Sequence, residues 1–410
     1  MNIYQLDITN ADSINGVDRY IACLLEGLTK TKSFNRIYHI TFQAGSRKIF
    51  RHVDEKEGYT SIQIPLPEKF GTVIRKEYWS HKYNQALYNR IKSYFQTDEL
   101  SIVHIHTLNL IDFAIEIKKN TPAKIITHLH CIPWKALYNQ DQYLFNHLYI
   151  QYYRDRNFSE KFYTTHSEEP AYKLCDKVIA CTACGALFTR RISNIPENKI
   201  SVVSNGISDL YTEYTDTDRP LSTPAKLLFV GSVVAGKGIF FILEALRKVM
   251  AVGYPVELYI AGSGPEVNFE RIGREFFDVP VNLLGSIPFE QLQTYYKSCD
   301  IGIIGSLLEQ NSYVAIEMCM FGMPIVTTAI DGLDEMFTHQ VDALKIPVSF
   351  DRLSGLRVHT DPMQAAIIEL LTSAEKRQKL STGARLLFKN KFTLPGMTRQ
   401  IIQIYQSFNK

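Results

Sequence analysis

Short apolar runs rich in β-branched residues alternate with amphipathic helical patterns from one end of this chain to the other. A strand buried on both faces reads as such a run, and two parallel neighbours must be joined by a crossover, usually a helix. The pattern therefore predicts an α/β protein built on mainly parallel sheets. In the first half the runs are IYQLDI, RIYHITF, SIQIPL, LSIVHIHTL, AKIITHLH, DKVIACT and KISVVS. After the first of them, Val17, Tyr20, Ile21, Leu24, Leu25 and Leu28 recur at helical spacing. The series restarts at AKLLFVGS, passes through a helical pattern at Ile242, Leu246 and Val249, and continues with VELYIAG, VNLLG, DIGIIGS and MPIVTTA.

Between the two series the periodicity stops at DLYTEYTDTDRPLSTP, where Thr, Asp and Pro collect. This places one domain at 1–208, a linker at 209–224 and a second domain at 225–392. A last helical pattern over 393–410, through Met397, Ile401, Ile402, Ile404, Tyr405 and Phe408, is expected to pack back on the first domain. A chain of 410 residues is the right size for two such domains. Open parallel sheets bind ligands beyond the carboxyl ends of their strands, so two of them facing each other make a cleft with chemistry at its rim.

Charge and cysteine content narrow the partners. Forty-five Lys and Arg against 42 Asp and Glu leave a net charge of +3, too balanced for a nucleic-acid backbone as the main partner. Any bound anion must be gripped locally. Seven cysteines without a disulfide-scaffold spacing point to a reducing compartment. The opening MNIYQLDITNADS does not read as a signal peptide, and no apolar run reaches the ~18 residues of a spanning helix, so a cytoplasmic protein is expected.

The densest chemical signal is IGIIGSLLEQNSYVAIEMCMFGMPIV, Ile301 to Val326. Glu309 stands in the loop after a predicted strand and Glu317, beyond seven intervening residues, inside the next helix. Asn311 or Ser312 can cap that helix, whose first amides and dipole form a natural phosphate site. Glu317, about a turn further in, is suited to accept hydrogen bonds from a ribose.

Here the chain resembles the retaining glycosyltransferases of family GT4, whose donor motif is two glutamates separated by seven residues. Asn15-Gly16-Val17-Asp18-Arg19-Tyr20 is similar to the family's glycine-containing loop and helix near the N-terminus. Ser204-Asn205-Gly206-Ile207 resembles its Pro-Asn-Gly-Val strand end, Gly231 to Gly238 its Gly-Arg-x-x-x-x-Lys-Gly loop, and Ala261-Gly262-Ser263-Gly264-Pro265-Glu266 its Gly-x-Gly-Pro turn. The resemblance covers essentially the whole chain, in the family's order. It implies the GT-B fold, two Rossmann-like domains facing across a cleft, and transfer of a sugar from a nucleotide diphosphate sugar, UDP favoured, to a glycan or lipid-linked acceptor.

The same resemblance assigns Lys237 to the diphosphate, Glu309 to the donor sugar and Glu317 to the ribose. It also assigns donor contacts to Gly16, Asn205, Gly231 and Ser232, then to Gly262 and Gly264, and to Asn311, Ser312 and Tyr313. A histidine near sugar and acceptor corresponds to His130, although the acidic residue that usually follows it is Cys131 here. No metal cofactor is expected, because Lys237 and helix amides can balance the leaving group. Two departures stand out: the family's arginine is Ser232, and the glycines after the first glutamate are Gln310, Asn311 and Ser312. Ser232 keeps open a reading from another class, a non-catalytic relative that binds nucleotide or acts as a scaffold partner.

Several patterns carry competing readings. His104 and His106, and His128 and His130, lie two apart on predicted strands, so each pair shares a face. If the strands are neighbours the four imidazoles converge, either as a metal site or, as favoured, with some packed in the sheet and others at strand ends. Cys181 and Cys184 form a single CxxC, read as buried small residues in preference to a redox or zinc site. Asp216-Thr217-Asp218 sits in the linker and is rejected as a metal-diphosphate motif. The basic and aromatic stretch Lys69 to Phe95, with Trp79, reads as an amphipathic helix; the sharper alternative is contact with an anionic membrane surface. Aromatics from Tyr138 to Tyr163 are candidates for an acceptor pocket.

Overall fold

The computed structural model describes residues 1–10, 16–44, 52–65, 81–95, 98–132, 168–211, 220–351 and 355–409. The stretch around Trp79, the aromatic segment Tyr138 to Tyr163 and Asp216-Thr217-Asp218 lie outside these residues. The described chain divides into two compact units, one from 1–132, 168–208 and 394–409, the other from 209–393. Among the described residues no helix is long and apolar enough to cross a membrane.

The first unit is built on an eight-stranded sheet, β1 Asn2–Asn10, β2 Arg36–Ala44, β3 His52–Lys56, β4 Tyr59–Pro65, β5 Ser101–Ile105, β6 Ala123–Leu129, β7 Lys177–Ala180 and β8 Ile200–Val202, in the order β3-β4-β2-β1-β5-β6-β7-β8. Every pairing is parallel except β3 with β4. Strand β3, HVDEK, is not among the apolar runs because it is a charged, largely exposed edge. Charges there discourage edge-to-edge association. All five residues of β5 are buried, as its unbroken apolar reading requires. The Gly16–Thr31 helix buries Tyr20, Ile21, Leu24, Leu25 and Leu28, five of the six residues whose spacing predicted it, and leaves Val17 half-buried. From the stretch Lys69 to Phe95, the His81–Ile91 helix and the turn after it bury Leu87, Tyr88, Ile91 and Phe95, so these aromatics belong to the core and not to a surface stripe.

The Leu394–Gln406 helix also belongs to this unit. It buries Met397, Thr398, Ile401 and Tyr405, and Leu394 N donates to Ile207 O at 2.8 Å. Gly27 admits it closely, since a Cβ there would stand 2.0 Å from Thr398 Oγ1.

The second unit has a six-stranded parallel sheet of β9 Ala225–Val230, β10 Val256–Ala261, β11 Val281–Gly285, β12 Ile301–Ile304, β13 Ile325–Thr328 and β14 Leu344–Ile346, ordered β11-β10-β9-β12-β13-β14. The chain winds outward from β9 in one direction, then from β12 in the other. Loops leaving β9 and β12 therefore part at the switch point, where open α/β sheets bind ligands. The start of the expected linker is not loose. Arg385, 4% exposed, grips both carboxylate oxygens of Asp209 at 2.9 and 2.7 Å and the carbonyls of Met320 and Tyr211 at 2.8 Å. A bidentate pair of this kind fixes the entry of the chain into the second unit.

Candidate functional site

The loops after β9 and β12 touch through backbone. Lys237 ends the short 3-10 turn Ala235–Lys237, and Gly238 turns into the Ile239–Ala251 helix with φ +70°. A Cβ on Gly238 would lie 1.8 Å from Gly305 O at the end of β12, and Leu307 N donates to Gly236 O at 2.9 Å. Only glycine meets both the left-handed φ and the contact. The Gly238→Ala variant is expected to lose ~1–3 kcal/mol of stability, measured as a lower urea midpoint at unchanged slope.

That contact brings Lys237 Nζ onto Glu309 Oε1, an ion pair whose partners are 34% and 14% exposed. Ser306 Oγ donates to the same oxygen at 3.0 Å, and Gly332 N donates to the Glu309 carbonyl at 2.9 Å. Ser306 is itself held, its carbonyl accepting from Thr328 Oγ1 at 2.6 Å. The sequence reading gave Lys237 and Glu309 separate tasks; the fold joins them into one group.

Ser312, not Asn311, caps the Tyr313–Met320 helix, its side chain accepting from Ala315 N at 3.4 Å. Asn311 is buried beside the cap and Tyr313 is half-buried. Glu317 lies on this helix at 1% exposure, with Oε2 accepting from the Tyr296 hydroxyl. Tyr296 also stacks on Phe321, centroids 5.2 Å apart and planes 11° apart. A donor hydroxyl beside it lets a buried carboxylate stay in place. Nothing in the Phe289–Ser298 helical pattern singles Tyr296 out.

The remaining expected donor residues of this unit frame the ends of β9 and β10. Gly262 takes φ +157° and a Cβ there would meet Gly231 O at 1.9 Å. At Gly264 a Cβ would meet Val233 O at 2.4 Å. Ser232 is exposed and receives Val234 N on its carbonyl at 2.9 Å, so its side chain brings no cation to the loop.

Gly16, Asn205 and His130 belong to the first unit. Gly16 opens its helix, exposed, with open space where a Cβ would be. Asn205 is 5% exposed, its Oδ1 3.7 Å from Cys181 Sγ. The four histidines do converge, because β5 and β6 are neighbours with Ile105 opposite Thr127. Rings His104 and His106 are 4.4 Å apart, His106 and His130 5.3 Å, and His128 and His130 4.3 Å. Tyr20 covers them, 4.4 Å from His128 and 4.7 Å from His130. Burial pushes His104 and His130 down to about 3 and holds His106 and His128 well below the usual range, so the cluster is neutral at physiological pH.

Neutral, close imidazoles are also what a transition metal binds, and His104, His106 and His128, or His128, His130 and Cys181, have ligand atoms within 4.8 Å of one another. Most of those nitrogens already have partners. His106 uses both, toward Gln5 Oε1 at 2.7 Å and His130 Nε2 at 3.0 Å, and His128 Nε2 faces Cys181 Sγ at 3.4 Å. Cys181 is buried with its thiol pushed up to about 12, which argues against thiolate chemistry. The seven cysteines form no disulfide. Gln5 and Asp7, which the sequence reading passed over as site residues, and Tyr405, which it read only as a packing residue of the last helix, prove to be buried in this unit. Burial raises Asp7 to about 7. Polar Gln5 and Asp7 inside the apolar run IYQLDI were the available signal.

Residues 14–209 match the family model described as Glycosyltransferase Family 4, and residues 224–372 the one described as Glycosyl transferases group 1. An uncharacterized glycosyltransferase of Methanocaldococcus jannaschii is 24% identical over 230 residues, 52% of this chain and 56% of that one. Alpha-D-kanosaminyltransferase of Streptomyces kanamyceticus is 23% identical over 201 residues, 48% of each. The chain spans about half the length of these relatives. Among solved structures, the alpha,alpha-trehalose-phosphate synthase (UDP-forming) from Burkholderia xenovorans, in complex with glucose-6-phosphate, has a TM-score of 0.71 at 14% identity, covering 99% of this chain and 100% of that one. That likeness is one of fold, the GT-B fold. With a family model on each half, the chain belongs to the group 1, family 4 glycosyltransferases.

Proposed function

We propose that this chain transfers a sugar from a nucleotide diphosphate sugar, a UDP-sugar by preference, to an acceptor hydroxyl with retention of configuration. The observation that carries the reading is the Lys237–Glu309 pair at the switch point of the second sheet. A diphosphate leaving group gains charge as the glycosidic bond breaks, and a cation already aimed at that place stabilises the change. Binding exchanges partners: Lys237 leaves Glu309 for the diphosphate, and the freed carboxylate, still steadied by Ser306, accepts from sugar hydroxyls. The capped Tyr313–Met320 helix supplies amides to the phosphates, and Glu317 serves the ribose. His130, Asn205 and Gly16 serve the sugar and acceptor.

No metal is required for this transfer, since Lys237 and the helix amides take the charge-balancing role. The solved relative's name, UDP-forming, supports uridine as the base. The acceptor is a glycan or lipid-linked saccharide, met in the cytoplasm or at the inner membrane face. Ser232 favours a second reading, a nucleotide-binding partner without turnover, because one of the family's two positive charges is absent.

Calorimetric titration with UDP, GDP and ADP and their sugars, followed by assays of donor hydrolysis and transfer, separates the two. UDP binding with release of UDP from one donor is the expected result. Nucleotide binding without turnover of any donor, with any acceptor extract, would sink the transferase reading.

A further inference from the structure

Buried polar groups in the first unit form a continuous hydrogen-bonded chain that ends on His130. Gln5 Nε2 donates to the Tyr405 hydroxyl at 3.0 Å, and Gln5 Oε1 faces His106 Nε2 at 2.7 Å. His106 Nδ1 in turn faces His130 Nε2 at 3.0 Å, and the Tyr405 hydroxyl faces His104 Nδ1 at 2.7 Å. Tyr405, Gln5 and His104 are fully buried and His106 nearly so. Water therefore does not compete for the bonds among Tyr405, Gln5, His104 and His106, while the His106–His130 link is part-buried.

Chemistry sets the direction of each link. An amide oxygen only accepts, so His106 Nε2 carries a proton. Burial keeps the ring neutral, and a neutral imidazole has one N–H, so His106 Nδ1 is a lone pair. His130 Nε2 must then be the donor, which leaves His130 Nδ1 as that ring's only acceptor. At the other end Gln5 donates to the Tyr405 oxygen, and among the described residues the acceptor within reach of the Tyr405 proton is His104 Nδ1, so that nitrogen accepts and the His104 proton sits on Nε2. That nitrogen is buried without a hydrogen-bond partner among the described residues. A buried polar atom left unmatched is uncommon in a core that need only pack.

We propose that Tyr405, Gln5 and His106 are positioning residues that hold His130 as its Nε2–H tautomer, so that the nitrogen it offers a substrate hydroxyl is Nδ1, a hydrogen-bond acceptor. The role given to His130 rests on the transferase reading; the tautomer does not. Tyr405 lies 400 residues from Gln5 in sequence, which gives the last helix a task in the first unit beyond packing. A metal held by His104, His106 and His128 is the competing arrangement, and it would need a His106 nitrogen that the chain of bonds already uses.

The test is long-range proton–nitrogen correlation NMR on the full chain labelled with nitrogen-15 histidine, His106→Asn and His130→Asn assigning the signals. The wild type is expected to show protonated Nε2 and unprotonated Nδ1 on both His106 and His130. Tyr405→Phe keeps the ring and removes the hydroxyl that orients the Gln5 amide. In that variant the His130 signals move toward a mixture of tautomers. Its kcat is expected to fall about tenfold while the donor KM changes less than about twofold, a split that general structural damage would not give. His130 found as Nδ1–H in the wild type, the reversed chain that a turned Gln5 amide would produce, overturns the proposal. So do His130 signals unchanged by Tyr405→Phe, or zinc at one equivalent in the purified protein. If no donor is turned over, the transferase reading fails and the spectra alone still decide the tautomer.

Discussion

Lys237→Ala is expected to lower kcat/KM for the nucleotide sugar by about a thousandfold and to weaken UDP binding about tenfold. The two losses differ because the lysine meets a diphosphate in the ground state but a more negative one as the glycosidic bond breaks. In the family pattern a second cation shares this load; here that place is Ser232, exposed and neutral, so Lys237 works without it. Lys237→Arg should recover part of the loss, since charge is kept while the shape differs. Steady-state kinetics with calorimetry of UDP provide the check. A UDP affinity equal to wild type would remove Lys237 from the diphosphate.

The second large effect belongs to Glu309→Ala, with kcat reduced about a hundredfold and UDP affinity kept or tightened a few-fold. The carboxylate competes with the diphosphate for Lys237, so its removal frees the lysine. The gain is small because the pair is partly open to water, which screens it. The loss in turnover comes from the sugar hydroxyls that Glu309 no longer orients. Equal, large losses of UDP binding in Glu309→Ala and Lys237→Ala would contradict the exchange of partners.

Much of the fold was legible because parallel strands buried on both faces leave an apolar run in the chain, and each run named became a strand or part of one. Four of the described strands were not named. HVDEK is a charged edge, Leu344–Ile346 is too short to register as a run, and Val348–Asp351 and Gly355–Val358 form a separate short antiparallel pair. The glycines were legible as motifs, but their reasons were not: Gly238 and Gly262 are tied to backbone carbonyls 67 and 31 residues away in sequence, at Gly305 and Gly231. The linker was read as starting at Asp209 from composition, whereas Arg385 pins that residue from the far end of its unit.

Spacing alone determined that this chain folds as two parallel-sheet units, that Glu309, Lys237 and the paired histidines stand at strand ends or in the loops after them, and that Glu317 lies inside the next helix. Those facts are local, carried by apolar runs, glycines and alternation by two. Which side chains meet was decided only by the tertiary structure. Lys237 finds Glu309 because the β9 and β12 loops touch at Gly238 and Gly305, and His106 finds Gln5 and Tyr405 because β1 pairs with β5 and the last helix packs in the same unit. Hydrogen bonds between residues hundreds of positions apart leave no period in a sequence; the sheet order that creates them is set by packing.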